Sequence, residues 1–150
     1  MTKHHSTPLK SILSGLALIS TLSAPALAGA SGLAISDARL RMTVPGHPAA
    51  GYFTLKNKSS ETRTLVGASS PACKHAMLHQ TKMENGVMKM LPAGQLEIAP
   101  GGTLSFAPGG YHVMCMKPAP DIKSKASVPV TLKFKNGETQ SADFTVTGAK

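Results

Sequence analysis

The sequence predicts an all-β fold, an antiparallel β-sandwich, on three observations. Helix-type spacing of apolar residues is nearly absent beyond the first 28 residues. Pro and Gly punctuate the chain at short intervals, and the runs between them are strand-like. Within those runs apolar and polar residues alternate: Val130, Leu132 and Phe134 interleave with Thr131 and Lys133, as in a strand with one buried face.

Taken in order, Ala34–Thr43 ends before Pro45-Gly46, and Gly51–Asn57 ends before Lys58-Ser59-Ser60. Thr62–Ser69 stops at Ser70-Pro71. His75–Lys82 and Val87–Met90 flank Asn85-Gly86, a tight-turn dipeptide that joins paired strands. Gln95–Ile98 and Thr103–Ala107 are separated by Pro100-Gly101-Gly102, and Pro108-Gly109-Gly110 precedes Tyr111–Met116. Val128–Phe134 and Gln140–Val146 flank a second turn dipeptide, Asn136-Gly137. Many short strands at this spacing argue for a sandwich. No internal repeat, low-complexity tract or second domain is legible.

Residues 1–28 have the layout of a secretory signal. Lys3 and Lys10 give a basic start, Ile12–Leu22 is mostly apolar, and Pro25 precedes the small-residue site Ala26-Leu27-Ala28. The apolar stretch is short for a membrane span. Cleavage is therefore expected after Ala28, leaving a single domain over 29–150 that starts with a short leader, Gly29–Gly32. No Cys follows the cleavage site, so no lipid anchor and no lasting membrane insertion are expected. Two of the 16 basic residues leave with the signal, so 14 remain against 7 acidic ones, a net charge of +7. The lysines are scattered and no aromatic-basic stripe accompanies them, which argues for a solvated surface and against nucleic acid.

Two cysteines remain, Cys73 and Cys115. In an oxidising compartment an isolated pair is commonly a disulfide.

Methionine and histidine are unevenly spread. The expected mature chain has seven Met and four His, and six of the Met (77, 83, 88, 90, 114, 116) with three of the His (75, 79, 112) fall between His75 and Met116. A lone Met in a sandwich is ordinarily a core filler. Strand alternation points elsewhere here: His112, Met114 and Met116 share one face, with Val113 and Cys115 on the other. His75, Met77 and His79 likewise share a face. A two-residue turn at Asn85-Gly86 would set Met90 opposite Thr81 and diagonal to His79. By the same parity, a disulfide to Cys115 would lie on the core side. Thioether and neutral imidazole groups suit Cu(I) and are poor ligands for Mg, Ca or Mn. Zinc normally recruits thiolate, carboxylate or more His.

The spacing His79-x10-Met90-x21-His112-x-Met114 resembles the signature of the periplasmic copper chaperones of the PCuAC type. The words Met77-Leu78-His79, Gly86-Val87-Met88-Lys89-Met90 and Pro108-Gly109-Gly110-Tyr111-His112-Val113-Met114 carry the same resemblance, which runs from about Ile35 to Val146. It implies a cupredoxin-like, Greek-key sandwich that binds one Cu(I) through His79, Met90, His112 and Met114. It further implies a periplasmic, non-enzymatic carrier that delivers copper towards the copper centres of cytochrome oxidase, either to an oxidase subunit or through a thiol copper-relay protein. A monomer is expected. Some members carry a His- and Met-rich tail, whereas this chain ends Phe144-Thr145-Val146-Thr147-Gly148-Ala149-Lys150. Met77 and Met88 are expected to shield the ion and not to bind it. His75 reads as a surface residue, and His47, between Pro45 and Pro48, as a loop residue.

Two other functions fit parts of the pattern. A blue-copper electron carrier needs a thiolate at the metal, yet parity turns Cys115 away from His112 and the usual order of Cys before His is reversed. A plain exported interaction module would make the Met cluster mere core. No Ser-His-Asp arrangement and no pair of acids near the His cluster suggests an enzyme.

Overall fold

The computed structural model describes residues 1–2 and 32–148; the expected signal at 1–28 lies outside the described residues apart from its first two. Ten strands follow one another: β1 (Leu33–Arg41), β2 (Ala49–Asn57), β3 (Arg63–Ser69), β4 (Cys73–Glu84), β5 (Val87–Pro92), β6 (Leu96–Ile98), β7 (Thr103–Phe106), β8 (Tyr111–Pro118), β9 (Ser127–Phe134) and β10 (Thr139–Thr147). Every expected strand is present, with ends moved by a few residues.

Hydrogen bonding links them in the order β5-β4-β8-β7-β2-β1-β10-β9-β3-β6. This one continuous sheet folds over so that β3 packs against β4. The fold is the expected all-β, cupredoxin-like sandwich. Two ladders depart from the antiparallel rule, since β1 runs parallel to β10 and β7 parallel to β8. β2 spans two neighbours in turn: Ala49–Gly51 pair with β8, and Phe53–Lys56 with β7. The two shorter strands thus occupy successive stretches of a single lane beside β2.

Apolar alternation builds the interior. Phe53 stacks on Phe106 at 4.2 Å and meets Phe144 edge-on at 5.4 Å. Leu55, Leu65, Leu132 and Val146 complete that layer, all buried. Met42, the one Met between residue 28 and the cluster, is a fully buried core residue. Asn57 is buried as well and fully used. Its amide donates to the Glu61 and Ile98 carbonyls at 2.7 and 3.0 Å, and its oxygen accepts from the Ser59 backbone N–H at 3.0 Å. This ties the β2–β3 loop to the end of β6.

The two expected turns differ. Asn85 and Gly86 take φ of 52° and 78°, and Glu84 pairs with Val87, so the turn has two residues, with both central positions left-handed. Asn136-Gly137 sits in a three-residue loop instead: the Phe134 N–H donates to the Glu138 carbonyl at 2.9 Å, and Gly137 has φ 85°.

Candidate metal centre

The ladder between β4 and β8 decides what meets what. Its register sets His79 opposite His112, Met77 opposite Met114, and His75 opposite Met116. On the other side of β4, Thr81 pairs with Met90 and His79 with Pro92. Partners in a ladder point to the same face. His79, Met90, His112 and Met114 therefore share the outer face of the sheet, across three adjacent strands. The two imidazoles are direct ladder partners, with ring centroids 5.9 Å apart and planes at 81°. Met114 lies one rung from that pair in one direction, and Met90 lies diagonal to His79 in the other.

The turn before β8 fixes the His112 ring. Gly109 takes φ 81°, and the Gly110 N–H closes the turn on the Ala107 carbonyl at 3.0 Å. The Gly110 carbonyl then accepts two hydrogen bonds, from the Thr81 backbone N–H at 3.0 Å and from His112 Nδ1 at 3.3 Å. A carbonyl only accepts, so the proton of the neutral ring sits on Nδ1 and the lone pair on Nε2. That nitrogen is buried and has no hydrogen-bond partner, and His79 Nδ1 is in the same condition. A buried polar atom without a partner is costly. Two such nitrogens stand on neighbouring rings, and an unprotonated imidazole nitrogen can bind a metal.

His112 is 4 % exposed even though it lies on an outer face. Tyr52 covers it from β2 with ring centroids 6.4 Å apart, and the Arg39 guanidinium lies 5.5 Å from the Tyr52 ring centroid. Burial holds the His79 imidazole below the ordinary histidine value, and the neighbouring His112 adds to this by repelling a proton. Both effects favour the neutral, ligand-competent ring.

The clustered methionines, unlike Met42, are not core. Met77, Met83, Met88 and Met90 are 42 %, 65 %, 61 % and 52 % exposed, and Met114 and Met116 are half-buried. Met77 stands on the rung next to the imidazoles, where it can shield them. Met88 pairs with Met83, two rungs out from His79 and next to Met90 on the same face of β5. His75 is exposed, as expected, and His47 lies in the loop before β2.

Cys73 and Cys115 form a disulfide between β4 and β8, and both are buried. This bears out the expected pairing and its position on the core side. It also leaves no thiolate for a blue-copper centre. Among the described residues, no three of His, Cys, Asp and Glu gather into a site that could hold a metal ion. Tyr52 is the neighbour that sequence reasoning missed. Its alternation with Phe53 marks it as outward-facing, but only the β2–β8 register puts it beside His112.

A family model for LpqE-like putative lipoproteins matches residues 33–146. The chain belongs to the LpqE-like family. A curated relative, the putative lipoprotein Lxx21020 of Leifsonia xyli subsp. xyli, is 36 % identical over 118 residues, which span 73 % of this LpqE-like chain and 66 % of the relative. Among solved structures, Cu(I)-bound DR1885 from Deinococcus radiodurans is 36 % identical, with a TM-score of 0.56 over 79 % of this chain and 82 % of that one. Apo-DR1885 is 29 % identical, with a TM-score of 0.62 over 99 % and 100 % of the two chains. The copper-bound PCuAC domain of PmoF2 shares the fold at 20 % identity, with a TM-score of 0.61 over 77 % and 92 %. The LpqE-like chain thus has the fold of PCuAC domains.

Proposed function

We propose that this chain is an exported copper chaperone that holds one Cu(I) through His79, Met90, His112 and Met114. The observation that carries this reading is the pair of buried, unpartnered nitrogens, His79 Nδ1 and His112 Nε2, on rings that face each other. Two neutral imidazoles and two thioethers make an uncharged donor set, which suits a soft monovalent ion. The likeness to the Cu(I)-bound form of DR1885 supports Cu(I) as the ion.

The cargo is bound and released without being transformed. One wall of the site is the exposed β4–β5 hairpin, so a partner can reach the ion from the Met90 side. The signal-like residues 1–28 and the lipoprotein name of the Leifsonia relative support export, and we place the mature 29–150 domain in the periplasm as a monomer. Its acceptor would be a copper-accepting protein of cytochrome oxidase assembly, an oxidase subunit or a thiol relay protein.

X-ray absorption at the copper edge of the Cu(I)-loaded protein tests the ligand set directly. Mixed nitrogen and sulfur scatterers are expected; a shell of nitrogen and oxygen alone would overturn the proposal.

A further inference from the structure

Six consecutive positions on one sheet face carry only imidazole and thioether groups. Along the β4–β8 ladder the rungs read His79–His112, Met77–Met114 and His75–Met116. The site proposed above takes up His79, His112 and Met114. It leaves His75, Met77 and Met116 as three contiguous donors that it does not use for binding. His75 and Met116 oppose each other directly, and Met77 is the next residue along the same face of β4. Directly opposed Cβ atoms lie about 4.5–5.5 Å apart and diagonal neighbours about 7–8 Å, within reach of long side chains. His75 and Met77 are exposed and Met116 is half-buried.

We propose that His75, Met77 and Met116 form a second, shallower Cu(I) position through which the ion enters and leaves the His79–His112 pair. This rests on the reading of the first site as a Cu(I) site. One imidazole and two thioethers again make a neutral, soft set, and no carboxylate on these rungs would recruit a harder ion. Greater exposure makes this position the weaker and faster-exchanging one. Rungs on one face are about 6.8 Å apart, so the two positions are adjacent without overlapping. Met77 and Met114 face each other on the middle rung and are placed to touch both. Copper stays Cu(I) throughout. Each step forms one bond from copper to sulfur or nitrogen and breaks another, so no electron or proton is transferred.

The test is an anaerobic titration of the mature protein with Cu(I) supplied as its acetonitrile complex, followed by NMR of methionine ε-methyl groups and histidine rings. In the unaltered protein the first equivalent should shift His79 and His112, and the second should shift His75 and Met116. In the His75→Ala, Met116→Leu double variant the second step should vanish while the first is unchanged. In His79→Ala, His112→Ala the deep step should be lost, and His75 and Met116 should respond from the first equivalent. If the unaltered protein saturates at one equivalent with His75 and Met116 unmoved, the second position does not exist. If instead the His79, His112 variant keeps its first step at full strength, it is the first-site reading that fails. The Met116→Leu single variant checks the result in a form nearly isosteric with the native side chain.

Discussion

His79 and His112 are direct partners across the β4–β8 ladder, their ring centroids 5.9 Å apart and their planes inclined at 81°. Two rings this close cannot both be charged without mutual repulsion, and burial of His79 compounds the penalty.

The acid limb of stability should therefore depend on His79. Its native value lies below the ordinary 6.5, so the unfolded chain binds more protons than the native one once the pH falls under 6.5. The contribution is whole above that pH and is lost as the pH falls through the lowered native value. Thermal melts of the metal-free protein should lose stability below pH 6.5, the value for an unperturbed ring. His79→Gln should flatten that decline. An unchanged decline in the variant would assign it to other groups.

Thioether and imidazole ligands should separate by oxidation state. Thioethers are weak ligands for the harder Cu(II), while imidazole serves both ions. Met114→Leu should weaken Cu(I) binding strongly and Cu(II) binding little, whereas His112→Ala should weaken both. Competition titrations with each ion on each variant give the comparison. Equal losses in Met114→Leu would mean that Met114 acts through packing.

The disulfide should stabilise the fold without belonging to the metal site. Its cysteines are 42 residues apart in sequence, and closing a loop of that size is worth about 4 kcal/mol by the chain-entropy estimate. Replacing both Cys73 and Cys115 with Ser should lower the melting temperature and leave copper stoichiometry intact. Denaturant unfolding of the two proteins, paired with metal analysis, measures both quantities.

Gly51 should accept a side chain only if Val113 and Phe144 give way by a few tenths of an ångström. A Cβ there would come within 3.2 Å of Val113 Cβ and 3.3 Å of a Phe144 ring carbon. Val113 sits between His112 and Met114, so relieving the clash moves the site. Gly51→Ala should cost about 1–3 kcal/mol, as overpacking does, and should weaken Cu(I) binding as well. Loss of stability with undiminished affinity would show that β8 absorbs the strain without shifting its ligands.

Local pattern made the strands and their faces legible. Alternation put His112 and Met114 on one face, and the turn at Asn85-Gly86 set Met90 opposite Thr81, because a two-residue turn fixes register over a few residues. The β4–β8 register was not legible: these strands are far apart in sequence, and their pairing depends on the whole sheet. That register alone puts Met77 against Met114 and His79 against His112. Nor did alternation foresee Cys73. Strict parity would set it on the His75 face, yet it is buried against Cys115 near the end of β8, where Lys117 takes a φ of 47°. The parallel ladders escaped for the same reason, since strand direction within a sheet follows from chain topology and leaves no mark on composition.

Exposed methionines also set a chemical vulnerability. Peroxide converts an accessible thioether to a sulfoxide, whose donor is a hard oxygen in place of soft sulfur. Met77, Met88 and Met90 stand open to solvent, while Met42 is sealed in the core. Oxidative damage would thus begin at the face proposed to hold the metal and spare the buried core. Under the proposed function, a chain so damaged would stay folded and lose its copper, and a reductase acting at the surface could restore it without unfolding it.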